Sequence, residues 1–474
     1  MVEVSDIIQA RRGHVEAPAG CGKTQLIVES VGRETQKPTL ILTHTTAGVA
    51  ALRQRLKLRS VPTSNYRLST IAGWALKIVA MFPERAGLRH DPLLAPDYPA
   101  IQAAVGALCV SGNISRELHA TYARLLVDEY QDCSVSQHAI VNGIANAIPT
   151  VVFGDPMQAI FGFNANDPLA NWRDHVTAAF PLIGQLTVPW RWNNLGANDL
   201  GAWLLQAREI LREGQSLDLR TCRNRVVWHS IGRDPNALIS EQVRVQYEIS
   251  RQYPTESILF IGDSIQAQSR HNYASRVHGV GVVEPVDFGD VVEFANQMNG
   301  QVGQELLRIC LAFLSGVMTN VQGKRLLDRI KTIEAKRNRT PATNTELAAI
   351  ALVNGGGYPH AIAFLEAMRA DADRRVYRYS AFNLLLEGLM VATQADKGLV
   401  ETIAALREQR RHAGRIVPTK AVGSTLLLKG LEAHHAVILD ADRPGNAMSR
   451  AHLYVALSRG ARSIHVFSRS PVLP

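Results

Sequence analysis

Cysteine is scarce in this sequence: five residues among 474, Cys21, Cys109, Cys133, Cys222 and Cys310, with no two in a CxxC pair. That number and scatter exclude a disulfide framework and a cysteine-based zinc site, and a reducing, cytoplasmic setting is the expectation. Long apolar runs are missing as well. No window supplies the roughly 18 uninterrupted apolar residues of a membrane helix, and the N-terminus reaches Arg11-Arg12-Gly13-His14 without a long apolar stretch. Neither a membrane partner nor an export signal is expected. Repeats and long low-complexity tracts are absent, and 46% hydrophobic with 20% charged residues excludes a disordered or fibrous chain.

The length fits two or three domains, each large enough to bury a core. A net charge of +9 suits a polyanionic partner without demanding one. Short apolar runs of buried-strand length alternate with helical patterns: Leu40-Ile41-Leu42, Leu125-Leu126-Val127 and Val151-Val152-Phe153, then Val226-Val227-Trp228, Ile258-Leu259-Phe260-Ile261, Ala436-Val437-Ile438-Leu439 and Ile464-His465-Val466-Phe467. This alternation predicts an α/β fold with parallel sheets in two lobes. Between 299 and 415 the strand signal fades into Leu/Ala-rich helical patterns, broken by Gly355-Gly356-Gly357, which predicts a helical insertion.

Two segments carry chemistry. Ala17-Pro18-Ala19-Gly20-Cys21-Gly22-Lys23-Thr24 reads as a Walker A loop with alanine at the usual first glycine, entering a helical run at Gln25. Small residues let backbone N–H groups and a helix N-terminus face a triphosphate, Lys23 can neutralise the β- and γ-phosphates, and the Thr24 hydroxyl can ligate Mg²⁺. Downstream, Leu125-Leu126-Val127 runs into Asp128-Glu129-Tyr130-Gln131-Asp132, which places acids at the C-terminal end of a strand, where open α/β sheets bind ligands. Asp128 can hold Mg²⁺ through water, and Glu129 can orient or deprotonate an attacking water.

The order of the remaining segments resembles the UvrD/Rep/PcrA-like superfamily 1 helicases. Asp128-Glu129-Tyr130-Gln131-Asp132 has their motif II form. Thr43-His44-Thr45 through Arg53 looks like motif Ia, Ser69-Thr70-Ile71-Ala72-Gly73 like Ib, and Gly154-Asp155-Pro156-Met157-Gln158 through Phe163 like III. Trp190-Arg191 stands where motif IV has Tyr-Arg, Gln266 to Arg270 resembles the segment after it, Lys429-Gly430-Leu431-Glu432 resembles motif V, and Tyr454 through Gly460 resembles motif VI. The resemblance implies two RecA-like P-loop lobes: the first over 1–185, with a small helical insertion at about 81–121, and the second over 186–298 and 416–474, interrupted by a reduced 2B-like insertion over 299–415.

On that resemblance the cofactors are ATP and Mg²⁺, and the partner is single-stranded DNA or a tailed duplex. Arg191 and Arg459 would answer charge on the transferring phosphoryl group. Gln158 resembles the γ-phosphate sensor, Glu432 resembles the motif V glutamate near the nucleotide sugar unless the turn is a plain helix start, and Gly430 beside it is a nucleotide-binding candidate. Trp190 offers an aromatic face to the base, with core packing as the competing role. Thr43, Thr45 and Arg53 would contact the DNA backbone, and Phe163 would stack on a base unless it is a core residue. The basic run Lys331, Lys336, Arg337 and Arg339 is either a solvated face or a nucleic-acid contact. No metal beyond the nucleotide's Mg²⁺ is expected at His434 and His435.

Departures from the family pattern bear on selectivity. The upstream glutamine has no clear counterpart, since Gln9 lies too near the loop and Ser5 falls closer to the position; Gln25 replaces an arginine; Ala72 replaces a histidine; and 424–428 lacks the family's histidine. The insertions are short, and the chain resembles the helicase-like subunits of Gabija phage-defence systems, whose partner is an OLD-like nuclease. Two functions follow as expectations: a 3′ to 5′ single-strand translocase or helicase in DNA repair or phage defence, or an ATP- or DNA-end-sensing subunit that regulates a nuclease.

Overall fold

The apolar runs at 40–42, 125–127 and 151–153 lie at the centre of a parallel sheet. The computed structural model describes residues 2–32, 36–87, 97–162, 164–222, 224–285, 287–395, 397–413 and 417–474. Its first sheet comprises β1 (Arg12–Glu16), β2 (Thr39–Thr43), β3 (Tyr66–Thr70), β4 (Arg124–Asp128), β5 (Thr150–Gly154) and β6 (Leu182–Gln185), in the order β3-β2-β4-β5-β1-β6. All neighbouring pairs are parallel.

Parallel strands are covered on both faces, so their sequences are almost continuously apolar. Successive side chains point to opposite faces. Leu40, Leu42, Leu125, Val127 and Val152 enter one core with Ile140 and Ile144. Ile41, Leu126, Val151 and Phe153 enter the other with Ile27, Val28, Leu52 and Leu56. The register pairs Thr43 with Asp128 and Glu16 with Gly154, which brings the C-terminal ends of β1, β2, β4 and β5 to one edge of the sheet. The chain turns there into the segments that carry the candidate site.

By its internal contacts the chain divides into two units, Met1–Ile231 with Lys429–Pro474, and Gly232–Leu428. The first also contains the parallel strands Ala433–Ile438, Gly460–Ser468 and Val226–Ser230. The second contains the parallel strands Gly281–Val282, Lys420–Gly423 and Ile258–Ile261. The fold is α/β with parallel sheets, as the alternating pattern predicts. Among the described residues of 299–415 there are six helices, Gly303–Val317, Gly323–Glu334, Asn344–Gly355, Tyr358–Ala370, Tyr379–Ala395 and Leu399–Ala413. Leu306, Leu314, Phe364, Phe382 and Leu385 lie in their shared core. No described helix is long and apolar enough to cross a membrane.

One ion pair is buried in the second unit. Arg378 donates through Nε to Glu284 Oε1 at 2.6 Å and through Nη2 to Oε2 at 3.1 Å, and Nη1 lies 2.7 Å from Asp290 Oδ2. Breaking such a pair costs more than removing it, because the remaining charge stays out of water. Arg378→Met is expected to lower unfolding stability by about 3–5 kcal/mol in a urea titration. Adding Glu284→Gln should recover most of that loss.

Candidate active site

The loop after β1 is shaped by two glycines. Ala17 N–H donates to Gly154 O at 2.9 Å, extending the alignment of β1 with β5 before the chain turns away. Gly20 and Gly22 have φ of +70° and +91°, a region that side chains rarely adopt. Space excludes a side chain at Gly20 as well, where a Cβ would stand 2.5 Å from the Trp192 ring. Gly22 is the N-cap of helix Lys23–Val31 and offers no side-chain acceptor to the first turn. A helix that begins with such N–H groups and a positive dipole end favours an anion.

Lys23 lies across the carboxylates at the end of β4. Its Nζ is 2.9 Å from Asp128 Oδ1 and hydrogen-bonds Glu129 Oε1. Burial would lower the ammonium pKa, but the two carboxylates more than offset this and hold it above the ordinary lysine value. For Asp128, burial dominates and raises the carboxyl, with Lys23 pulling it down. Glu129 is held below the ordinary glutamate value, because Lys23 and Lys429 together overcome its burial. Glu129 also takes a left-handed backbone, φ +55°, at a cost of about 1–2 kcal/mol for a residue with a Cβ. Such strain persists only where surrounding contacts fix it.

Those contacts come from the turn after β5. Gln131 donates through Nε2 to Glu129 Oε2 at 2.6 Å and accepts from Asp155 N–H at 3.1 Å through Oε1. Asp155 Oδ1 accepts from Met157 N–H at 3.1 Å and from Arg208 Nε at 2.9 Å. Its Oδ2 accepts from Gln158 Nε2 at 3.0 Å. A carboxylate only accepts, so the Gln158 amide is oriented with its nitrogen on Asp155. Lys429 Nζ donates to both Asp132 oxygens at 2.6 Å and to Gln158 O, and lies 4.8 Å from the Phe161 ring centroid.

The remaining candidates are spread around the same cleft. Arg191 pairs through Nε with Glu432 Oε2 at 2.5 Å and donates through Nη1 to Ser458 O at 2.7 Å. Arg459 is buried, with bonds to Val455 O, Leu431 O and Ser458 Oγ. Burial and the nearby Arg191 push its guanidinium down to about 10. Trp190 is half exposed beside Gly22, and Gly430 turns at φ +81°. Gln25 is hydrogen-bonded to Glu29 one helical turn on. The Cys21 thiol is buried and pushed up to about 12, which keeps it protonated and inert.

These groups line a cleft of about 850 Å³, from Ala17 to Gln25 on one side and including Asp128, Glu129, Gln158, Trp190, Arg191, Gly430, Glu432 and Arg459. Thr24 and Asp128 are both on its wall, and their oxygens are the hard donors that Mg²⁺ takes together with phosphate. The candidates for nucleic acid are less uniform. Thr45 lines the cleft, but its hydroxyl caps helix Thr46–Leu58 by accepting from Gly48 N–H at 3.0 Å. Thr43 is fully buried and its hydroxyl has no hydrogen-bond partner among the described residues, Arg53 is exposed, and Phe163 lies outside the described residues.

Residues 97–171 match the family described as UvrD/REP helicase N-terminal domain. Over that segment the chain is similar to UvrD-type helicases. The matching segment includes Asp128, Glu129, Asp155 and Gln158. No curated protein matches the chain in sequence. Among solved structures it is similar to the crystal structure of arterivirus nonstructural protein 10 (helicase), at 11% identity and a TM-score of 0.32. The similarity covers 98% of this chain and 61% of that one, so this chain spans less than two thirds of that protein's length.

Sequence reasoning did not single out Arg208, Asp132 or Lys429. Arg208 is 0% exposed, on the buried face of helix Asn198–Arg212 with Leu200, Leu204 and Leu211. A cation at an apolar-stripe position is the signal that could have found it. Asp132 and Lys429 lie inside the motifs already quoted but pair with each other across 297 residues. Burial raises the Asp132 carboxyl to about 7, with Lys429 pulling the other way. An acid whose folded pKa lies above its ordinary 3.8 takes up a proton on folding between about pH 4 and 7. Its contribution to stability therefore falls as pH rises through that window. Urea midpoints of wild type and Asp132→Asn across the window test this, the variant losing that part of the slope.

Proposed function

We propose that this UvrD-like chain is an ATP-dependent motor on single-stranded DNA, with hydrolysis at the cleft around Lys23. The observation that carries the reading is the set of Lys23, Asp128 and Glu129 at a glycine-built loop, with the Gln158 amide held in the same cleft. A triphosphate entering the loop gives Lys23 stronger partners than the two carboxylates. Glu129 is then free to hold water. As a carboxylate it can accept the proton as water attacks the γ-phosphorus and the bond to the β,γ-bridging oxygen breaks.

Thr24 and Asp128 are the residues that would hold Mg²⁺, which when bound neutralises charge on the phosphates. With one Nε2 hydrogen on Asp155, Gln158 keeps its carbonyl oxygen and its second amide hydrogen for the cleft. The oxygen suits an attacking water, and the remaining hydrogen suits a phosphate oxygen. Arg191 and Arg459 supply the positive charge, Arg191 after exchanging Glu432 for phosphate. Trp190 gives the base a stacking face, with Gln25 beside it. Thr45, Arg53 and Phe163 are the proposed strand contacts, whereas fully buried Thr43 has no surface to offer a strand; 3′ to 5′ is the proposed direction, and DNA repair or phage defence the proposed setting.

The locked Arg191–Glu432 pair favours a second reading. A cation released only when nucleotide binds suits a regulatory subunit that senses ATP or DNA ends and controls a nuclease of the OLD-like kind. Sustained ATP-dependent displacement of a roadblock from a tailed strand decides for the motor; nucleotide-dependent binding without displacement decides for the switch.

The chemistry is tested by turnover. Lys23→Ala should abolish ATP hydrolysis, and Glu129→Gln should lower it by about 10²–10⁴-fold with nucleotide binding retained. Wild-type hydrolysis by Glu129→Gln would remove Glu129 from its assigned role. Phe163→Ala should leave basal turnover intact and weaken its stimulation by single strands.

A further inference from the structure

The short helix that follows β6 is pinned directly to the phosphate loop. Arg191 N–H donates to Gly20 O at 3.1 Å. The buried Trp192 ring lies against Gly20 and donates through its indole Nε1 to Gly460 O at 2.9 Å. Trp192 is therefore the inward side of helix Trp190–Asn193. The other side faces the cleft, where Trp190, Arg191 and Asn194 are on the wall.

Asn194 keeps helical backbone angles, φ −65° and ψ −17°, and its N–H donates to Trp190 O at 3.0 Å. Side chains four residues apart in a helical turn are neighbours, so the Asn194 amide stands beside the half-exposed Trp190 ring. That amide is exposed and has no hydrogen-bond partner among the described residues. The polar groups around it are differently placed. Arg191 is held by Glu432 and by Ser458 O. Gln25 gives an amide hydrogen to Glu29, which draws its side chain one turn along helix Lys23–Val31 and away from the loop. Ser5 and Gln9, ahead of the loop, are not among the described residues that line the cleft.

We infer that Asn194 is the residue that reads the nucleotide base, and that it selects adenine over guanine. The inference rests on the reading of the cleft as a nucleoside triphosphate site. A base stacked on the Trp190 ring turns its edge toward the amide one helical turn on. An asparagine amide is a donor beside an acceptor. Adenine offers the complement, the N7 acceptor beside the 6-amino donor. Guanine has two acceptors at that edge, N7 and O6, and sets an oxygen against the amide oxygen. A polar group left unpaired in this way is what makes a contact discriminate. Base reading then comes from the segment after β6, on the same short helix that bonds the phosphate loop, and not from the segment before β1.

The test uses the full chain with Mg²⁺ and ribose-labelled fluorescent ATP and GTP in equilibrium binding, beside steady-state turnover of the unlabelled nucleotides. Asn194 is exposed, so replacing it opens no hole in a core. Wild type should bind ATP about tenfold or more tightly than GTP, the discrimination expected of one bidentate contact. Asn194→Ala should bring the two within about twofold by weakening ATP, and most of its loss in kcat/KM for ATP should fall on KM, because a base contact is made alike in the ground and transition states. Asn194→Asp, which sets a second acceptor against N7, should bind ATP more weakly than Asn194→Ala. Equal binding of ATP and GTP by wild type, or an ATP preference retained by Asn194→Ala, overturns the inference and leaves the motor standing. A wild type that binds neither nucleotide overturns both. Selective ATP binding that is lost in Asn194→Ala, with no hydrolysis by wild type, refutes the motor and not this assignment.

Discussion

The pair between Arg208 and Asp155 sets the geometry on which the cleft depends. Asp155 is 1% exposed and Arg208 is 0%, so each charge is kept out of water and stable only while the other is present. Asp155 in turn fixes the Met157 amide and the Gln158 side chain, and its own N–H fixes Gln131 and, through it, Glu129. Arg208 Nη2 also reaches Glu16 at 3.5 Å, at the end of β1 where the glycine loop begins. One buried cation thus ties together the strand before the loop, the carboxylates of β4 and the turn after β5.

The parts of the fold that could be read in the sequence are those where burial is complete. Leu40-Ile41-Leu42, Leu125-Leu126-Val127 and Val151-Val152-Phe153 stand in the middle of a sheet with both faces covered, and their composition says so. β3 and β6 are the two edges. Tyr66-Arg67-Leu68-Ser69-Thr70 and Leu182-Ile183-Gly184-Gln185 contain no fully buried residue, and their mixed polarity resembles a turn as much as a strand. Pattern reasoning passes over such strands, because the second neighbour that would force apolar character is missing.

The site divides in the same way. Lys23, Thr24, Asp128 and Glu129 were legible because each sits in a local string whose chemistry is self-contained. The supports were not. Arg208 owes its role to Asp155, 53 residues earlier, and Lys429 owes its role to Asp132, 297 residues away. No local window contains either relation. The net charge of +9 says little about where charge acts, since Arg208 and Arg459 are buried and Lys23 and Lys429 are largely withdrawn from water.

The hydroxyl of Tyr454 accepts from the N–H of Ala19 at 3.1 Å. That amide belongs to the loop whose N–H groups are suited to phosphate, and it has a single proton to give. A phosphate oxygen and the tyrosine are therefore rivals for it. Tyr454 is buried in helix Arg450–Leu457, and the residue two positions beyond that helix is Arg459. A phosphate that took this amide would release a helix more than four hundred residues away in sequence from its one hydrogen bond to the loop amide.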